Sequence, residues 1–213
     1  SGVEWLGDIP EHWSMVKLSW VFREIGSGTT PSSNNKEYYN GDIPWVNTTE
    51  LNDSYIKRTN KKISGKALED YSSLNRYSEG SLLIALYGAT IGKLGILKIS
   101  ATTNQACCAL SQPIDSVNTR FVFYWLLGNR SYIISLSYGG GQSNISQELV
   151  KQLKITLPKN NIQEKIVNYL DQETNRIDNL IEKTKEQIAN LEEYKQALIS
   201  NAVTGKIKVT EEL

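Results

Sequence analysis

Residues 161–203, NIQEKIVNYLDQETNRIDNLIEKTKEQIANLEEYKQALISNAV, hold neither Pro nor Gly, and Gly205 follows as a stop signal. Asn160 or Asn161 can cap the start, with Glu164 placed to reach back as in a capping box. Leu170, Thr174, Ile177, Ile181, Thr184, Ile188, Leu191, Lys195, Leu198 and Ala202 recur at alternating spacings of four and three. That is the seam of a two-stranded coiled coil. At about 1.5 Å per residue the helix spans roughly 60 Å, too long to pack wholly on one small domain. Thr174, Thr184 and Lys195 interrupt the seam, which weakens pairing but helps to fix register and partner number. Leu180, Tyr194 and Ile199 flank the seam and widen the apolar stripe. A partner helix is therefore expected, from a second copy or from another protein.

The 213 residues suffice for one well-packed domain plus this helix. No apolar run approaches the length of a membrane-spanning helix, and the opening SGVEWLGDIPEHW lacks the basic-then-apolar pattern of a signal peptide. Cys107 and Cys108 are adjacent, and neighbouring cysteines rarely bridge; both read as buried thiols in a reducing cytoplasm. Net charge is zero, so a nucleic-acid role has to rest on local patches.

Before the long helix the chain reads as a succession of short strands. KLSWVF alternates and predicts a first strand, and Trp5 and Trp13 are expected to close the edge of a core. A polar, glycine-containing loop follows over 26–42, where Tyr38 and Tyr39 argue for order. IPWVNTTEL predicts a strand ending in the polar cluster Asn47, Thr48 and Thr49. Next come Lys57, Arg58, Lys61, Lys62 and Lys66 with no acid among them, the one basic cluster of the chain. GSLLIALYGATIGKLGILKIS predicts two buried strands hinged at residues 87–90, and ATTNQACCALSQP a further one. Residues 120–137 have helical spacing. The segment 137–158 predicts a glycine-rich loop, a short helix capped by Ser146 and a strand ending at Pro158. The expected fold class is α+β: an irregular, mostly-β domain with a few helices over 1–159, the long helix over 160–204 and a tail over 205–213.

The sequence marks out no catalytic constellation. His12 is the single histidine, without a Cys or carboxylate cluster to make a zinc site and without a marked nucleophile. GATIGKL looks superficially like a phosphate loop, but it is one residue short between glycines and has Leu where a metal-binding Ser or Thr belongs. GSGTTP lacks the third glycine of a dinucleotide fingerprint. No two prolines are adjacent, so the Asn-Pro-Pro-aromatic run of adenine methyltransferases is absent.

Taken in order, SGVEWLGDIPEHW, GSGTTP, IPWVNTTEL, GSLLIALYGATIGKLGI, GGGQSNISQELVKQLKITLP and the helix from QEKIVNYL to NAVTGKI resemble the specificity subunits of type I restriction–modification systems, over essentially the whole chain. Such subunits carry two recognition domains in tandem, each followed by a long helix, and the helices pair antiparallel. This chain has one such unit, so the expectation is either a half-sized subunit that dimerises or a piece of a longer chain.

The resemblance implies a cytoplasmic, non-catalytic subunit without cofactor or metal that reads one half of a split target in double-stranded DNA. The long helix then spaces two recognition domains, in a homodimer through Leu170, Ile177, Ile181, Thr184, Ile188, Leu191 and Leu198. The modification (methyltransferase) subunit, and through it the restriction subunit, are the implied partners. Lys57, Arg58, Lys61 and Lys62 suit phosphate contacts. Thr29, Thr30, Asn47, Thr48, Thr49, Gln142, Ser143 and Asn144 are candidates to reach base edges, and Tyr87 to pack on sugar or phosphate. The competing reading is a non-catalytic coiled-coil adaptor that binds protein without reading DNA; it leaves the basic cluster and the glycine-rich loops without a role.

Overall fold

The computed structural model describes residues 8–137 and 144–207, and contacts divide the chain into two units, Ser1–Val167 and Asn168–Leu213. In the first unit the chain runs through β1 (Ser14–Lys17), α1 (Leu18–Val21), β2 (Phe22–Ser27), β3 (Ile43–Val46), β4 (Ser54–Ile56), β5 (Lys61–Ile63) and α2 (Gly65–Asp70). It continues through β6 (Leu82–Ala85), β7 (Leu94–Leu97), β8 (Thr102–Thr103), β9 (Cys107–Pro113), α3 (Thr119–Gly128), α4 (Arg130–Ser135), α5 (Gln147–Gln152) and β10 (Lys154–Leu157). The helix α6 (Asn160–Val203) begins in this unit. The fold is α+β.

A five-stranded mixed sheet of order β2-β9-β6-β7-β4 forms the centre, with β4 and β7 parallel and the other pairs antiparallel. Every residue of β6 and β7 is buried, which is why both read as unbroken apolar runs. Because side chains alternate across a strand, the sheet fills two cores. Leu82, Ile84, Leu94, Ile96, Cys108 and Leu110 face the larger one, under α3, α4 and α5; Leu83, Ala85, Leu97, Cys107 and Ala109 face the other. Cys107 and Cys108 thus lie on opposite faces, both fully buried. Burial pushes the Cys108 thiol up to about 12 and raises Cys107 as well, so neither is a thiolate near neutrality.

A three-stranded sheet of order β5-β3-β8 covers a third cluster of Ile43, Trp45, Ile63, Ala67 and Leu74. Tyr38 and Tyr39, in a single 3-10 turn, pack against this cluster within the loop after β2. A two-stranded β1-β10 ribbon completes the sheets.

KLSWVF is not one strand. Leu18–Val21 form a helical turn between β1 and β2, and the Leu18 amide donates to Leu153 O at 3.0 Å. The turn sends Leu18 and Val21, three apart, into the core together and leaves Trp20 65% exposed, whereas strict alternation would have separated them. Trp13 half-buries its ring edge-on to Phe121 at 6.3 Å; Trp5 lies outside the described residues.

The first unit ends at Val167, so the opening two turns of α6 belong to it. Asn160 is already helical, and its side-chain amide donates to Glu164 Oε1 at 3.4 Å, a contact along the helix in place of the reciprocal cap expected. Gln163 is fully buried: its Oε1 accepts from the Asn118 amide, and its Nε2 donates to Ser116 O and Pro158 O, all at 2.8 Å. Asn118 itself caps α3 through Arg120 N at 2.9 Å.

In the second unit α6 carries its apolar stripe uncovered. Ile177, Leu180, Ile181, Ile188, Leu191, Tyr194, Leu198 and Ile199 are all between about two-fifths and two-thirds exposed. Thr174 and Thr184 donate their hydroxyls to the carbonyls of Leu170 and Leu180 at 2.6 and 2.8 Å. Their polar groups are therefore satisfied within the helix, which lowers the cost of placing them in an apolar seam. Gly205 at φ 71° ends the helix, with the Gly205 and Lys206 amides returning to the carbonyls of Ala202 and Asn201 at 3.2 and 2.9 Å. Among the described residues no helix is long and apolar enough to cross a membrane.

Candidate nucleic-acid interface

Trp45 gathers three segments that are distant in sequence. Its Nε1 donates to Thr29 O at 3.2 Å, and Lys61, its cross-strand neighbour in β5, places Nζ 6.0 Å from the indole centroid. Lys62 follows opposite Pro44, and both lysines border a shallow concavity with Thr30 and Asn60. Glu50 pins the rest. Its carboxylate accepts from the Asn47 amide at 2.8 Å, closing the 3-10 turn Thr48–Glu50, and from the Asn60 amide at 3.0 Å. The loop that presents Lys57 and Arg58, both exposed, is thus tied to the polar cluster after β3. Lys66 stands apart in α2, where it pairs with Asp70 at 3.4 Å.

Gly28 explains why GSGTTP needs its second glycine. A Cβ there would lie 1.8 Å from Thr103 O, and its amide donates to Thr103 Oγ1 at 2.9 Å. Only a glycine lets the chain leave β2 this close to β8, and that approach sets Thr29 and Thr30 beside Trp45. Thr29 is half-buried and uses its carbonyl, while Thr30 is exposed and donates its hydroxyl to Gln105 Oε1 at 2.7 Å. Asn47 is half-buried and accepts from Asn104 Nδ2 at 3.3 Å; Thr48 is half-buried, and the exposed Thr49 donates weakly to Glu50 at 3.5 Å.

A second set lies at the end of β6. Tyr87 and Asn144 form an isolated antiparallel bridge, and Gly88 turns the chain at φ 81°. Tyr87 is half-buried and Asn144 exposed; Gln142 and Ser143 lie outside the described residues. The turn after β8 links the two sets. Gln105 meets Thr30, and the next residue, Ala106, accepts at its carbonyl from the Leu86 amide at 2.8 Å.

Sequence reasoning missed Asn104, Gln105, Glu50 and the organising role of Trp45. It also missed exposed Tyr55 of β4, over whose ring Lys98 Nζ and Arg120 Cζ stand at 4.8 and 5.7 Å. The TTNQ run at 102–105 was the available signal, a polar turn between apolar strands.

The GATIGKL segment is a turn between β6 and β7. Lys93 pairs with Asp53 at 3.0 Å, Arg130 binds the same carboxylate, and Arg130 Nε donates to Gly92 O at 2.9 Å. Partial burial pushes Asp53 upward, but the Leu94 amide, Lys93 and Arg130 outweigh it and hold the carboxyl below its ordinary value. Among the described residues no group of His, Cys, Asp or Glu comes together to hold a metal ion.

The chain belongs to the type I restriction modification DNA specificity domain family, whose model matches residues 10–190. It is 31% identical over 201 residues to the type I restriction enzyme MjaIX specificity subunit of Methanocaldococcus jannaschii, covering 92% of this chain and 45% of that protein. With the EcoR124I/EcoR124II specificity subunit of Escherichia coli it shares 26% identity, over 73% of this chain and 40% of that one. The fold matches a chain solved in work on complex assembly and conformational transition of the type I R-M system, at a TM-score of 0.74 and 23% identity. That match covers 92% of this chain and 47% of the other. The HsdS subunit from Thermoanaerobacter tengcongensis matches at a TM-score of 0.67 and 22% identity, over 94% of this chain and 47% of that one. The chain thus spans about half the length of the relatives it matches.

Proposed function

We propose that the chain is the sequence-specific DNA-recognition component of a type I restriction–modification complex, acting in the cytoplasm without catalysis or cofactor of its own. Residues 1–159 read one half of a split target, 160–204 form the spacer helix and 205–213 a tail. Methyl transfer and cleavage belong to modification and restriction subunits that dock on it. Two copies pair through Leu170, Ile177, Ile181, Thr184, Ile188, Leu191 and Leu198, which would make the target two-fold symmetric and interrupted.

The observation that carries this reading is the convergence at Trp45 of exposed cations with exposed hydroxyls and amides. Lys57, Arg58, Lys61 and Lys62 hold phosphates and give affinity; Thr30, Thr49, Gln142, Ser143 and Asn144 reach base edges. Thr29, Asn47 and Thr48 shape that surface, and Tyr87 packs on sugar or phosphate. A protein-only adaptor gives this convergence no purpose.

The test is fluorescence anisotropy with a labelled duplex across a salt series, using the chain with its modification subunit. Replacing Lys57, Arg58, Lys61 and Lys62 by Ala is expected to flatten the log–log salt slope by about 0.9 for each phosphate that is no longer neutralised, at similar fold stability. An unchanged slope would refute the assignment.

A further inference from the structure

We propose that Gln105 is a specificity-determining residue of this interface, reading a base edge with its side-chain amide while Thr30 fixes the orientation of that amide. The inference rests on the DNA-reading assignment above and adds to it a residue that the sequence does not single out.

Gln105 sits at the tip of the tight turn between β8 and β9, closed by the Cys107 amide on Asn104 O at 3.3 Å. The turn is held on every side. The Asn104 amide donates to Val46 O at 2.9 Å, its side chain accepts from the Ala106 amide at 3.1 Å and donates to Asn47, and Ala106 O accepts from Leu86. Asn104 is half-buried and Ala106 buried, yet Gln105 itself is exposed. A turn pinned through its backbone that presents an exposed side-chain amide has spent its hydrogen bonds on position, which is what a reader needs.

Thr30 supplies the second constraint. Its hydroxyl donates to Gln105 Oε1 at 2.7 Å, and Thr30 is held in turn by the close approach of Gly28 to Thr103. With one lone pair of Oε1 used, the amide still offers a second acceptor site and two Nε2 donors. An acceptor and a donor side by side match the N6 and N7 of adenine in the major groove. Lys61 and Lys62 border the same concavity as Thr30, so phosphate holders lie beside the reader. Asn104, by contrast, spends its side-chain amide on Asn47 Oδ1 and the Ala106 amide.

The experiment measures relative affinities of a randomised duplex pool for the chain with its modification subunit, comparing the wild type with Gln105→Ala and Thr30→Val. Gln105→Ala should lose about tenfold or more of discrimination at one base pair of each half-site while leaving the salt slope unchanged. Thr30→Val should relax the same base pair to a smaller degree. A Gln105→Ala profile that matches the wild type at every position, with the wild type selective, overturns this inference and leaves the DNA-reading assignment standing. A Thr30→Val variant that keeps wild-type selectivity at the base pair relaxed by Gln105→Ala overturns the orienting role. A wild type that selects no sequence sinks the assignment and this inference with it.

Discussion

Gln163 offers the sharpest test of how the long helix is anchored. Replacement by Leu keeps the volume roughly constant and removes three hydrogen bonds, leaving the Asn118 amide and the carbonyls of Ser116 and Pro158 without this partner. Each such bond contributes about 1 kcal/mol net, and a buried group left unpaired costs about 1–3 kcal/mol. Three such bonds come to about 3 kcal/mol, the apolar surface that Leu buries offsetting the further cost of groups left unpaired. In a domain of this size each kcal/mol lowers the melting temperature by about 2–4 °C, so a drop of roughly 6–12 °C is expected. Thermal unfolding of the full chain followed by tryptophan fluorescence reads it, at fixed protein concentration because pairing of copies would shift the midpoint. Glu164→Ala, one residue on and exposed, should change stability by less than about 0.5 kcal/mol. A Gln163→Leu shift no larger than that of Glu164→Ala would refute the anchoring argument.

Three further outcomes follow from the same structure. Gly28→Ala forces a Cβ to within 1.8 Å of Thr103 O, so it should cost about 1–3 kcal/mol in urea unfolding and weaken DNA binding; Gly65→Ala, whose Cβ meets nothing within 4 Å, should do neither. Changing Ile181 and Ile188, both about half exposed, to Asp should convert a dimer into a monomer by light scattering, and monomer in both proteins would exclude pairing through this seam. Asp53 has a lowered carboxyl value, so its ion pairs stabilise the fold above the ordinary value of 3.8 and lose that contribution as pH falls through the folded value. Asp53→Asn, which tolerates the positive φ of 59°, should therefore cost up to about 1 kcal/mol at pH 7, with the gap to wild type closing as pH falls below the ordinary value of 3.8.

What could be read from the sequence was whatever leaves a periodic or compositional trace. The 4–3 spacing from Leu170 to Ala202 marked α6, the unbroken apolar runs marked β6 and β7, and Ser146 marked the start of α5. The helical turn at Leu18–Val21 left none, because four residues are too few to show a period and the hydrogen bond to Leu153 that fixes it is non-local. The interface divides the same way. Its cations were visible as a run, but Gln105 gains meaning only from Thr30, and Trp45 only from Thr29 and Lys61, partners brought together across strand pairings that no local pattern announces. Gly28 was visible as a glycine, though its reason, the carbonyl of Thr103, was not.

The measurement that bears most directly on DNA recognition is selection from a randomised duplex pool by the chain bound to its modification subunit, repeated at rising salt. An interrupted motif with related halves at a fixed spacing, and affinity that falls steeply with salt, is the predicted result. Recovery of no common sequence, or binding indifferent to salt, would contradict it.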